Sequence, residues 1–232
     1  MSGQPQRRLS ILRLLLVFAV CAGVAFPVTR WVMSAVEQAR AEPVTTWVAP
    51  YVDVSLPPTL HFEDPAAQPA ANVVLGFVVA DPSDPCAPSW GTYFSLDAAA
   101  RALDLDRRVV RLRERGGDAV VSFGGALNSE LAVACTDVDR LVDAYQAVVD
   151  RYTLTAVDFD IEGAAIADGE ANARRSEAIR RLQEKDPSLE VWFTLPVATS
   201  GLTVESVNLL DQSVAAGVSL TGVNVMTMNY GG

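Results

Sequence analysis

The chain has 232 residues, half of them hydrophobic and a fifth charged, a composition that supplies a sizeable core and excludes disordered and collagen-like classes. The net charge of −10 is uneven: Arg7, Arg8, Arg13, Arg30 and Arg40 face one acid, Glu37, in the first 40 residues, which leaves 13 basic and 27 acidic residues beyond them. That acidic remainder argues against a nucleic-acid partner, and a single histidine, His61, excludes catalysis or zinc binding built on several histidines.

Arg7, Arg8 and Arg13 precede an uncharged run from Leu14 to Thr29, most apolar up to Phe26. Residues 1–30 therefore read as a signal peptide or an N-terminal membrane anchor. Either places the basic end in the cytoplasm and the rest of the chain outside it, secreted or anchored to the membrane. Cys21 follows Val20, which is not the small residue a lipobox requires. Residues 31–48 read as a polar linker.

Beyond the linker, short apolar runs alternate with helical patterns. Strands are expected at Tyr51–Leu56, Val73–Ala80, Ala119–Phe123, Thr155–Ile161, Val191–Val197 and Gly222–Met228. Their starts are far enough apart for a helical crossover each time. Val138, Leu141, Val142, Tyr145, Val148, Val149 and Tyr152 form one helical stripe, with Thr136 and Asp139 resembling a capping box at its start. Further helices are expected at Glu170–Glu184 and Thr203–Ala216. The stretch Asp81–Ser95 reads as an excursion at the mouth of the fold.

Repeated βα units imply an α/β fold with a parallel sheet, either doubly wound or a (β/α)8 barrel. No glycine-rich loop follows the first strand, which weakens the nucleotide-binding version, and the spacing suits a barrel. Only six of eight βα units are present, so residues 49–232 are expected to be a barrel incomplete at its C-terminus. In an oxidising compartment Cys86 and Cys135 make an even pair, read as a disulfide with two free thiols as the alternative.

The most informative stretch is Val157-Asp158-Phe159-Asp160-Ile161-Glu162-Gly163. On a strand, residues two apart share a face, so Asp158, Asp160 and Glu162 point inward and Val157, Phe159 and Ile161 point outward. Glu162 falls last, at the C-terminal mouth where barrel sites lie. Crowded carboxyls raise at least one pKa, which provides a general acid for a poor leaving group such as a sugar oxygen. Ser122 has no histidine partner nearby, which argues against a serine nucleophile. Trp90 is a candidate for stacking on a sugar ring, with packing as its alternative, and His61 reads as a solvated loop residue.

This stretch resembles the D-x-x-D-x-D-x-E signature of glycoside hydrolase family 18, the chitinases, with Thr155 in place of the first aspartate. Ser122-Phe123-Gly124-Gly125 resembles that family's S-x-G-G motif. Asn224 to Gly231 resembles its sixth-strand Met/Tyr motif in either of two alignments. With Met226 as the family methionine, Met228 replaces the tyrosine and Asn229 the aspartate. With Met228 in that place, Tyr230 matches and Gly231 follows.

The resemblance implies a (β/α)8 barrel that cleaves β-1,4-linked N-acetylglucosamine polymers with retention of configuration, assisted by the substrate's own acetamido group. It implies Glu162 as general acid, Asp160 as the group orienting the acetamido, Asp158 as its proton-sharing neighbour and Tyr230 as a hydrogen-bond donor to the acetamido oxygen. Met226, Met228, Asn229, Ser122 and Gly124 are implied to line the sugar site. No metal or cofactor is implied; the partner is a polysaccharide or oligosaccharide, and the protein is expected to be a monomer. Two alternatives remain open: a non-catalytic chitin- or glycan-binding protein on the same fold, and an endo-β-N-acetylglucosaminidase.

Overall fold

The computed structural model describes residues 48–228 and Tyr230. The N-terminal signal or anchor, nearly all of the linker, and Asn229 lie outside the described residues. In chain order the strands are β1 (Tyr51–Asp53), β2 (Val73–Ala80), β3 (Pro88–Trp90), β4 (Phe94–Ser95), β5 (Ala119–Gly124), β6 (Ala156–Asp160), β7 (Glu190–Ala198), β8 (Gly201–Leu202) and β9 (Gly222–Met226). The helices are α1 (Leu96–Ala102), α2 (Leu105–Glu114), α3 (Leu131–Ala134), α4 (Val138–Tyr152), α5 (Gly169–Lys185) and α6 (Val204–Ala215).

Six strands are parallel and adjacent in the order β1, β2, β5, β6, β7, β9. Among the described residues β1 and β9 do not pair. The architecture is thus an arc of a (β/α)8 barrel, with the antiparallel pieces β3, β4 and β8 added at strand ends.

Alternation along each strand divides the arc into two faces. Val121 and Phe123 of β5, Val157 and Phe159 of β6, and Val191, Phe193 and Leu195 of β7 are buried in the main core. Tyr145 of α4 packs edge-on against Phe123 and Phe159, with ring centroids 4.9 Å and 5.3 Å away. The inner face begins with the small cluster Val74, Val120 and Ala156 and becomes polar further up the strands.

Side-chain caps fix the helix starts. Asp137 opens α4 by accepting from the amides of Asp139 and Arg140, so the cap lies one residue beyond the expected Thr136. Asp168 caps α5 and Thr203 caps α6 in the same way. α1 and α2, which no sequence pattern delimited, fill the crossover from β4 to β5; α2 buries Leu105, Val109 and Leu112.

The expected first strand is shorter, ending at Asp53 rather than Leu56, and the first crossover contains no helix. Residues 54–72 follow an irregular path tied down by two arginines. Arg115 donates to the carbonyls of Phe62, Gln68 and Ala70. Arg108 is buried, stacks over Phe62 at 4.4 Å, and bonds Glu63 and the carbonyl of Leu60. Four prolines in this segment disfavour a helix, and arginine side chains take over the carbonyls a helix would have satisfied.

The excursion after β2 folds as the β3–β4 hairpin, and a disulfide joins Cys86 in it to Cys135 after α3, with Cα atoms 4.7 Å apart. Arg140 reinforces the junction with a two-pronged bond to Asp84. Among the described residues, no helix is long and apolar enough to cross a membrane. The bridge spans 49 residues of sequence. Replacing both cysteines by serine is expected to lower unfolding free energy by about 4 kcal/mol in the chain-entropy model. Urea denaturation measures it; a loss under about 1 kcal/mol would show that the bridge adds little constraint.

Candidate active site

Asp158 and Asp160 face inward because their neighbours Val157 and Phe159 belong to the outer core. Both carboxyls are buried. Register brings Ser122 of β5 opposite Asp158, Thr194 of β7 opposite Asp160, and Asn224 of β9 opposite Thr194. Ser122 Oγ donates to Asp158 Oδ2 at 2.7 Å, and Thr194 Oγ1 donates to Oδ1 at 2.8 Å. The Tyr51 hydroxyl lies 3.0 Å from Asp158 Oδ2 and 2.6 Å from Thr194 Oγ1, which also accepts from Asn224 Nδ2 at 3.2 Å.

Burial raises the Asp158 pKa, and the hydroxyls of Ser122, Thr194 and Tyr51 work against that rise. Burial, and then the Asp158 charge, push the Tyr51 phenol far above its ordinary range, so it remains a donor. Asp160 has no such shell of hydroxyls. Burial first, then the nearby Glu162 and Asp158 carboxylates, push it up from 3.8 to about 8. Its Oδ1 is buried without a hydrogen-bond partner.

Glu162 sits just past the strand end, at the start of a 3-10 turn over Gly163–Ala167, and is half-buried. It lines a cavity of about 340 Å3 together with Asp53, Phe77, Tyr93, Leu127 and Asn128. Asp53 holds its own wall in place by accepting from the amide and hydroxyl of Ser55.

The two glycines of the S-x-G-G stretch meet a packing demand. A Cβ on Gly124 would lie 2.2 Å from the carbonyl oxygen of Asp160, and one on Gly125 would lie 2.9 Å from the Phe77 ring. Both have positive φ, 101° and 88°. The amide of Gly125 donates to the Asp160 carbonyl at 2.8 Å, so β5 closes tightly on the end of β6. Behind this junction Glu130 caps α3 and pairs with Arg175 of α5 in a buried two-pronged ion pair. The Arg175 charge holds the Glu130 carboxyl below its ordinary pKa against the opposing effect of burial.

The expected site residues are only partly brought together. Asp158, Asp160, Glu162 and Gly124 form one unit. Ser122 is fully buried against Asp158, so it positions that carboxyl and is closed to the sugar contact expected of it. Trp90 does not reach the cavity: it is fully buried, stacks edge-on with Tyr152 and donates to its hydroxyl at 3.0 Å. β9 ends at Met226, so Met228 and Tyr230 fall outside strand alternation; both are exposed, and no hydrogen bond links Tyr230 to the acids. Sequence reasoning missed Tyr51, Thr194 and Asn224; each occupies an inward strand position, but their convergence depends on strand order. Among the described residues no group of His, Cys, Asp and Glu could hold a metal ion.

An arc of parallel strands with acids crowded at its carboxyl end defines a barrel domain with its site where such barrels carry theirs. Within that class the chain is similar to chitinases. It is 40% identical over 188 residues to a probable bifunctional chitinase/lysozyme of Escherichia coli (strain K12), covering 79% of this chain and 20% of that protein. It is 39% identical over 189 residues to endochitinase 11 of Metarhizium anisopliae, covering 79% of this chain and 35% of that protein. The chain therefore spans between a fifth and about a third of the curated relatives it matches. The catalytic domain of a hyperthermophilic chitinase from Pyrococcus furiosus superposes with a TM-score of 0.68 at 28% identity, over 78% of this chain and 57% of that one. A family GH18 chitinase from Chromobacterium violaceum shares the fold at 17% identity, with a TM-score of 0.57 over 80% of this chain and 51% of that one. No protein-family model matches the sequence.

Two predictions follow from the geometry. Gly124→Ala is expected to lower stability by roughly 3 kcal/mol, since it adds positive-φ strain to a clash with backbone; urea denaturation measures it. In the second, Asp160 keeps a proton in the fold that the unfolded chain loses near 3.8. The stability it contributes is complete below that pH and is gone once the pH has risen through about 8. Thermal melts from pH 4 to 9 should show wild type losing stability that Asp160→Asn retains; equal slopes would contradict this assignment.

Proposed function

We propose that this chain is a glycoside hydrolase domain that cleaves β-1,4-linked N-acetylglucosamine polymers, chitin or its oligosaccharides. The observation that carries the reading is the Asp160–Glu162 pair: two neighbouring carboxyls at one strand end, with Asp160 buried and pushed up to about 8 and Glu162 on the cavity wall. Such a pair retains a proton near neutral pH and presents one member to a ligand. The similarity to chitinases over 79% of the chain supports the same reading.

Glu162 protonates the glycosidic oxygen, and the sugar–oxygen bond breaks with its electron pair leaving on that oxygen. The acetamido oxygen of the same sugar attacks the anomeric carbon from the opposite face, giving an oxazolinium ion that water opens with net retention. This route needs one acid and no carboxylate nucleophile. The acetamido N–H donates to Asp160, whose unpartnered buried Oδ1 is an acceptor awaiting such a group. The Asp160 charge that develops as its proton moves toward Glu162 then stabilises the positive ring. Asp158, held by Ser122, Thr194 and Tyr51, fixes the lower end of the relay. Met226 and, beyond the strand, Met228 border the sugar from β9, and Tyr230 donates to its acetamido oxygen.

Glu162→Gln is expected to lower kcat on N-acetylglucosamine oligosaccharides about 10³-fold while affinity stays within about threefold, as removal of a general acid requires. Steady-state kinetics with calorimetric binding test this. Unchanged turnover in the variant would remove Glu162 from the chemistry, and binding without turnover in the wild type would leave a carbohydrate-binding protein.

A further inference from the structure

Glu162 leaves its strand with little of its own to hold it. The amide before it, that of Ile161, still donates to the Thr194 carbonyl of β7 at 3.1 Å, but the Glu162 carbonyl accepts from the Ala165 amide inside the 3-10 turn Gly163–Ala167. Such turns have poor hydrogen-bond geometry. Four of the five side chains here are glycine or alanine, and Gly163 is left-handed with φ of 56°. These residues supply neither bulk nor a polar atom to fix the turn. Ile166 supplies both anchors: its side chain is buried in the main core, and its carbonyl accepts from Asn172 Nδ2 of α5 at 2.9 Å.

Asn172 is 4% exposed, and its amide can face only one way. Arg175 carries donors alone, so its Nη1, 2.6 Å away, requires the Asn172 oxygen, which leaves the Asn172 nitrogen for the Ile166 carbonyl. Arg175 grips Glu130 through Nε and Nη2, and Glu130 also accepts from the Tyr145 hydroxyl at 3.2 Å. Glu130 Cγ would lie 3.4 Å from a Cβ on Gly124, at the end of β5 where the Gly125 amide holds the Asp160 carbonyl. One buried chain of bonds thus runs from the turn that carries Glu162 to the strand end that clasps Asp160. Apolar side chains of the same volume would serve stability about as well. What they would not supply is a directed bond to the Ile166 carbonyl.

We propose that Asn172, oriented by Arg175, is a positioning residue that holds the Glu162 turn and thereby sets the Glu162 carboxyl against Asp160. This rests on the reading of Glu162 as the acid of a glycoside hydrolase. The ionisable groups facing Asp160 are Asp158 and Glu162 on its own segment and Tyr51 of β1. Of these, Glu162 is the one carried by the turn. Freeing the turn lets Glu162 draw away, which weakens its repulsion of the Asp160 charge and spoils its approach to the glycosidic oxygen.

The test uses the full chain carrying Asn172→Ala, with Asn172→Ser, neutral and too short to bridge Arg175 and Ile166, in its place if the alanine variant fails to fold. Carbon-13 NMR of the carboxyl groups should find the Asp160 midpoint, about 8 in the wild type, lowered by about one pH unit. On the N-acetylglucosamine hexasaccharide kcat should fall about tenfold while KM stays within twofold. Ser176→Ala is the control: Ser176 Oγ bonds the Asn172 carbonyl and Ser213 in the same buried region, so its loss costs stability and leaves the turn held. An Asp160 midpoint unmoved in a folded Asn172 variant overturns the positioning role, even where kcat falls, because general loosening would do the same. A midpoint moved as far by Ser176→Ala overturns it too. Both results leave the hydrolytic reading standing. Absence of hydrolysis in the wild type removes that reading, and the titration alone then decides the role of Asn172.

Discussion

Burying two carboxyl groups two residues apart on a central parallel strand is the constraint around which the rest of this arc is arranged. A lone carboxylate in such a place is costly, and the fold meets the cost differently for each. Asp158 is given hydroxyl donors from three other strands. Asp160 is given none on Oδ1 and is left to hold a proton. The difference between the two environments separates their roles, one carboxyl fixed and the other able to exchange a proton.

That separation requires the strands to close tightly at the mouth. β5 approaches the end of β6 so nearly that only glycine fits at 124, and the Glu130–Arg175 pair stands directly behind. A buried ion pair is weak evidence of net stability. Its value here is positional: Glu130 caps α3, Arg175 belongs to α5, and together they set two helices against the strand ends that carry the acids. The disulfide and the Asp84–Arg140 pair brace the segment leading into the β3–β4 hairpin, whose turn carries the exposed Tyr93.

The acid array was legible from sequence because three carboxyls at alternate positions of an otherwise apolar strand have one consistent orientation. The glycines at 124 and 125 were legible as part of a motif, and the structure supplied their physical reason, the close approach to Asp160 and Phe77. The cystine was legible from parity and compartment. What failed did so for identifiable reasons. Thr136 and Asp137 are adjacent capping residues, and the choice between them depends on backbone direction. The segment after β1 has strand-like beginnings and a crossover's length, but its prolines and the distant Arg108 and Arg115 make it an irregular strap. Trp90 reads as a ring for stacking or, somewhat more readily, for packing, and Tyr152, 62 residues away, decides for packing.

By itself the sequence determined the periodicities: which side chains share a face of each strand, roughly where the three longest helices begin, and hence that Asp158, Asp160 and Glu162 form one column with apolar residues behind them. These are local properties, set by the two-residue and 3.6-residue repeats of the backbone. Only the tertiary structure decided which columns stand next to one another. Strand order and register brought Tyr51, Ser122, Thr194 and Asn224 around one carboxyl, and tertiary packing placed Tyr93 and Asn128 on the same cavity as Glu162. Such meetings are made by contacts between residues far apart in the chain, and no repeat in the sequence encodes the distance between two strands.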